Sequence, residues 1–126
     1  MGNFKSFEEL ACWKEARNLR NFVKDKIVSK IPSHEKYDLI SQIRRSSRSV
    51  GNNIAEGFGR FHFQENIQFC RIARGSLIET LDHGIVALDE DYISNEELNE
   101  LRVIHDKTLL ILNGYIKYLN NQKDKK

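Results

Sequence analysis

The chain has 126 residues, 40% of them apolar or aromatic and 30% charged, with a formal net charge of +2. That is enough apolar material for one core in a single domain spanning 1–126, and too much for a disordered chain. No apolar run approaches the ~20 residues of a membrane span, residues 1–7 lack a signal-peptide core, and Cys12 and Cys70 have no partner motif. The expectation is therefore a cytoplasmic protein with reduced thiols, no disulfide framework and no zinc site.

Charge is distributed in blocks. Residues 1–35 carry seven basic and five acidic side chains, 36–76 seven and three, 77–106 one and nine, and 107–126 five and one. The near-neutral total is a cancellation between a basic 36–76 block and a strongly acidic 77–106 block.

The first element begins at Ser6, where Ser6-Phe7-Glu8-Glu9 reads as a capping box. Trp13, Ala16, Val23 and Ile27 share a face at helical spacing, and Ile31-Pro32 ends the run because a residue before proline avoids the α region; this predicts a helix over 7–30. Ser33 is placed to cap a second helix, over 34–56, along which Ile40, Ile43, Ser47, Val50 and Ile54 recur in steps of three and four. Gly57 is placed to close it in the left-handed conformation, and Phe58-Gly59-Arg60 is a turn short enough to make the next helix an antiparallel neighbour.

A third helix is predicted over 62–88, with Phe63, Ile67, Cys70, Leu77, Leu81, Gly84 and Leu88 on one seam and Phe69, Ile72, Ser76 and Thr80 on a second stripe. After the acidic turn, Ser94-Asn95-Glu96-Glu97 is a second capping box that starts a fourth helix over 95–120. Its seam runs Leu98, Leu101, His105, Thr108, Leu112, Tyr115, Leu119, flanked by Ile104, Ile111 and Tyr118, and its lysine-rich end is expected to fray after Asn120. No strand pattern competes, so the fold class is all-α, an antiparallel up-down-up-down four-helix bundle. The extra apolar lines, Phe69 and Ile72 on helix 3 and Ile104, Ile111 and Tyr118 on helix 4, exceed what a four-helix interior needs. They predict contact with other copies of the chain, a homo-oligomer.

Catalytic and metal signatures are absent from the sequence. His34, His62, His83 and His105 show no paired metal-ligand spacing, and His105 reads as a core or interface histidine. Gly57-Phe58-Gly59 lacks the rest of a phosphate loop, and Ser46, Ser47 and Ser49 have no base at a suitable spacing, so they read as small residues permitting close helix approach. No enzyme, cofactor or metal is expected. The strongest polar feature is arginine: Arg44, Arg45 and Arg48 face away from the second helix's seam, with Arg60 in the turn and Arg71 and Arg74 on the third helix. These guanidinium groups can bind phosphates of RNA or DNA, with Phe58, Phe61 and Phe63 as stacking surfaces. They can instead pair with Glu79, Asp82, Asp89, Glu90 and Asp91 of the same or an adjacent subunit, or form a solvated face.

The stretch RRSSRSVGNNIAEGFGR from Arg44 to Arg60, followed by FCRIARGSLIET from Phe69 to Thr80, resembles the four-helix-bundle family of 23S rRNA intervening-sequence proteins. Asn53-Ile54-Ala55-Glu56-Gly57 and Ala73-Arg74-Gly75-Ser76-Leu77 are its most specific marks, and the likeness extends to Leu10, Trp13 and Ala16. Gly51 stands where many relatives have proline, and the turn at 89–93 is unusually acidic. The resemblance implies a bacterial, non-enzymatic protein that forms a ring-shaped homo-oligomer, with five subunits the precedent. More distantly, it is similar to the accessory protein of diversity-generating retroelements, which implies nucleic acid, a reverse transcriptase or a ribosomal component as partners. By position, Arg44, Arg45 and Arg60 match the family's basic residues and Asn53, Glu56 and Gly57 its signature. Asn53 and Glu56 are expected to satisfy backbone donors at the helix end or to accept from Arg60, fixing the turn around Gly57 and Gly59.

Overall fold

The computed structural model describes residues 4–125; among them there are four α-helices and no strand. They are α1 (Ala11–Phe22), α2 (Leu39–Phe58), α3 (Phe63–Asp89) and α4 (Asn95–Asp124). α2 packs on α3, α3 on α4, α4 on α1 and α1 on α2, a closed cycle of neighbours around one apolar cluster.

The first element departs from its expected limits. Ser6 and Glu9 do form the capping box, but it starts only a 3-10 turn, Phe7–Glu9. Leu10 is extended (φ −71°, ψ 127°) and buried, which turns the chain and starts α1 at Ala11. Along the helix, Cys12, Ala16, Leu19, Val23, Ile27 and Ile31 are buried. The last three steps are four residues long, and each would drift about 40° around a regular α-helix. A π-helical turn, Val23–Ile27, is wider and takes up this drift, before a 3-10 turn, Val28–Lys30, leads into extended Ile31 ahead of Pro32.

The second helix starts later than predicted. Ser33 makes no side-chain cap; Ser33–Glu35 is a 3-10 turn and Asp38 (φ −114°, ψ −103°) is non-helical. Glu35 explains the break, because its carboxylate accepts from the Leu39 amide at 3.4 Å and from the Tyr92 hydroxyl at 2.7 Å. This pins the 33–38 turn onto the α3–α4 turn and pushes the Tyr92 phenol up to about 12. α2 then runs unbroken through Gly51, which packs against Trp13 and Ala16 of α1.

α3 and the start of α4 agree with expectation within a residue, and Ser94 and Glu97 complete their capping box. Between them Asp91 has φ 62°, and the Tyr92 amide bonds back to Ala87 O at 2.9 Å, the left-handed closure expected of a helix end but supplied here by aspartate. The end of α4 does not stop at Asn120: it continues to Asp124, where Lys123 donates to Gln64 Oε1 at 3.0 Å and ties the last turn to α3.

Polar contacts fix the helices relative to one another. Between α2 and α3, the Thr80 hydroxyl lies 2.9 Å from Ser46 Oγ, and Ser76 donates to Ser49 Oγ at 2.8 Å. Lys107 pairs with Glu15 at 3.4 Å across α4 and α1. His105 is buried with Nδ1 3.0 Å from Asp106, while its Nε2 has no hydrogen-bond partner among the described residues. Both cysteines are free and buried, and burial pushes their thiols up to about 12, which keeps them protonated.

Lys30 lies 2.6 Å from Glu97 and joins the end of the first element to the start of α4. This ammonium and the Ser94 amide hold the Glu97 carboxyl down at about 2, from an ordinary 4.5. A depressed folded pKa stabilises the fold above the ordinary value, and the gain disappears as pH falls from there towards 2. Urea titrations at about pH 6 and about pH 3 are expected to show a smaller acid-induced loss of stability for Glu97→Gln than for the wild type.

Candidate nucleic-acid interface

The inner faces of α2 carry apolar and small side chains, Leu39 and Ile43 among them, and leave its arginines outside. Ser46, Ser47, Val50, Gly51, Ile54 and Gly57 are buried against neighbouring helices, whereas Arg44, Arg45 and Arg48 are exposed. A cleft of about 710 Å³ follows this face, lined by Lys36, Tyr37, Ile40, Ser41, Arg44, Arg45, Arg48, Ser49, Asn52 and Asn53. A second, of about 270 Å³, lies on the α1 side of the Arg44–Arg48 ridge and adds Arg20 and Lys24. Neither cleft is lined by a carboxylate, and among the described residues no ion pair engages Arg44, Arg45 or Arg48.

The remaining arginines stand elsewhere. Arg60 is committed within the chain: it lies 3.0 Å from Glu56 and 3.6 Å from Glu65, with its guanidinium 4.9 Å from the Phe69 ring centre. Arg74 donates to Asn113 of α4 at 2.8 Å, while Arg71 is exposed. The six arginines therefore do not form one patch; the sequence places them near each other along the chain, but α2 and α3 carry them on different faces. The expected stacking residues are also elsewhere. Phe58 and Phe63 pack partly into the core and Phe61 is fully exposed beside Arg60, in a different depression.

The signature residues do local structural work. Asn53 donates to Ser49 O and Ser49 Oγ, both at 2.9 Å, within α2 rather than at its end. Glu56 accepts from Arg60, and Gly59 ends the helix with ordinary right-handed geometry (φ −72°, ψ −7°), its amide bonding to Ala55 O and Glu56 O. Gly57 does not adopt the left-handed closure: it lies inside α2, buried, where a Cβ would come within 2.6 Å of Asn66 Oδ1 and 3.0 Å of Phe69 Cβ. It is a close-approach glycine. Asn66 in turn donates to the Tyr115 hydroxyl at 3.2 Å and accepts from Cys70, so crowding at Gly57 reaches a buried polar chain.

The residues expected to meet another copy divide too. Ile72 is 53% exposed, but Phe69, Ile104, Ile111 and Tyr118 are half-buried, because their flanking positions turn partly towards adjacent helices. The largest exposed apolar side chain on α4 is Leu110, 74% exposed, with Val103 seven residues before it, and α3 exposes Ile78 and Val86. A seven-residue repeat on the outer face of α4 is the signal that would have found this pair.

Tyr37 was likewise not among the sequence-derived candidates. It lies in the turn before α2, and its place in the lining of the arginine cleft, beside Lys36, is what marks it. Among the described residues, no group of three or more His, Cys, Asp or Glu can hold a metal ion, and no helix is long and apolar enough to cross a membrane.

These features define an all-α protein of four mutually packed helices with an unpaired cationic groove on the outside of one of them. The sequence model of the 23S rRNA-intervening sequence protein family matches residues 8–114, and the chain belongs to that family. No curated protein matches the chain.

Gly57→Ala is expected to destabilise the fold by about 1–3 kcal/mol, the usual range for overpacking a close contact. Urea denaturation checks it; Gly75→Ala, at an α3 position with no atom within 4 Å of the added carbon, is the control expected to be neutral or stabilising.

Proposed function

We propose that the chain is a non-enzymatic, self-assembling bundle that binds nucleic acid through the groove on α2. The observation that carries this reading is the set of Arg44, Arg45 and Arg48, gathered on one exposed face without a carboxylate partner among the described residues. Forked guanidinium groups match phosphate oxygens, and such contacts are electrostatic and sequence-independent. An up-down-up-down course is supported by the α2–α3 pairs, since Ser46 meets Thr80 while Ser49 meets Ser76, so the numbers run in opposite directions. Self-assembly is supported by exposed Ile72, Ile78, Val103 and Leu110. In a ring, every copy would repeat the same groove, and modest contacts would add by raising effective concentration.

A structural module, with these arginines consumed between subunits, is supported by the acidic block. Asp82, Asp89, Glu90 and Asp91 are exposed. The two readings separate on Arg44→Glu/Arg48→Glu. The nucleic-acid reading expects wild type to shift rRNA fragments in a salt-dependent way. It expects the variant to lose that shift, with the sedimentation of the assembly unchanged. Each arginine removed should lower the slope of log affinity against log salt by about one. Collapse of the assembly in the variant, with no RNA affinity in wild type, supports the structural module.

A further inference from the structure

We propose that the α2 groove takes an unpaired strand of nucleic acid, in which Tyr37 stacks on a base while Arg44, Arg45 and Arg48 hold the backbone. This rests on the nucleic-acid reading above and narrows it to a class of ligand.

Tyr37 is 85% exposed, the most solvent-exposed tyrosine among the described residues, and among those residues its hydroxyl makes no hydrogen bond. What distinguishes this ring from other exposed apolar side chains is its place: it lines the same cleft as Arg44, Arg45 and Arg48. The ring does not hang from a loose loop. The Lys36 amide bonds to Ser33 O at 3.1 Å, Asp38 to Glu35 O at 3.0 Å and Gln42 to Asp38 O at 2.9 Å. Glu35 is in turn held by the Tyr92 hydroxyl, which anchors this turn to the α3–α4 turn. The backbone that carries Tyr37 is thus anchored at the mouth of the cleft, while its ring is open to a stacking partner.

The cations are arranged in sequence with it. Tyr37, Ser41, Arg44, Arg48 and Asn52 follow one another at three or four residues along the same face. Within α2, Ser41 to Asn52 span about 16.5 Å at 1.5 Å per residue, with Tyr37 beyond the start of the helix, room for a few nucleotides. Ser41 and Asn52 offer neutral donors to sugar and phosphate oxygens between the guanidinium groups. Lys36, with its ammonium 5.5 Å from the Tyr37 ring centre, puts a further cation beside the stacked base.

An unpaired strand uses all of these groups. In a duplex the bases are stacked on each other, so their faces are closed to Tyr37 and only the phosphates remain for the arginines. Stacking gives only weak sequence preference, because every base has a face to stack.

The test uses the full chain and fluorescence anisotropy with a labelled oligouridine and a labelled RNA duplex of the same length. Wild type is expected to bind the oligouridine more tightly than the duplex. Tyr37→Ala should weaken oligouridine binding roughly 5- to 100-fold while leaving the salt slope and the duplex affinity unchanged. Tyr37→Phe, which keeps the ring, should restore it. An exposed position makes misfolding of these variants a minor concern, and helical circular dichroism checks it. A duplex bound as tightly as the single strand, or a Tyr37→Ala variant with wild-type affinity, overturns the inference and leaves the nucleic-acid reading standing. If wild type binds neither RNA at low salt but binds polyglutamate, the groove is a site for acidic protein and both readings fall.

Discussion

At the contact between α2 and α3, hydroxyls and a glycine occupy positions where helices more often place leucine. Ser46, Ser49, Ser76 and Thr80 join the two helices by side-chain hydrogen bonds, and Gly57 lets the Asn66 backbone come as near as a side chain would otherwise stand. On the other flank Gly51 admits Trp13. α2 is therefore held closely on both sides by small residues. Its arginines are left to the outer face, where they form the basic groove. Larger residues on the inner faces would push α2 outward and change the alignment of every arginine it carries.

Much of this fold is legible because helix periodicity and capping report local physics. Two identical capping boxes nevertheless have different outcomes. Ser94 opens a thirty-residue helix, and Ser6 only a single turn, because Leu10 must be buried and its extended backbone interrupts the helix. Periodicity also hides the π turn, since the chain keeps its buried residues aligned by changing the helix rather than the spacing. Gly57 illustrates a different limit: a glycine near a helix end has two physical uses, left-handed closure and close approach, and only the position of Asn66 decides between them.

The site was legible by charge and not by geometry. Arg44, Arg45 and Arg48 share a face that helical phase alone identifies. Arg60, Arg71 and Arg74 seemed to extend the same patch because they are near in sequence, yet Glu56 and Glu65 hold the first and Asn113 the third. The cancellation of charge between the 36–76 and 77–106 blocks is not made by ion pairs joining them among the described residues; the pairs that cross between helices are Lys30 with Glu97 and Lys107 with Glu15. Both pairs spare the arginines of α2. Tyr37 is not legible as a site residue in the sequence because the segment around it reads as regular helix. Its prominence comes from the non-helical Asp38 and the anchored turn.

The π turn at Val23–Ile27 has a topological consequence for the groove's second wall. A π turn holds one residue more than the α-helical turn it replaces. The residues before it, including Arg20, and those within it, including Lys24, follow different angular settings while the buried stripe remains aligned. Both cations line the cleft beside Arg44 and Arg48. Five residues in this turn complete nearly the same rotation as four in an α-helix, so the extra residue is absorbed as a wider turn while Arg20 before it and the buried residues after it keep the phase of one continuous helix. The surplus backbone bulges where Lys24 borders the cleft, which sets that cation's reach apart from that of Arg20.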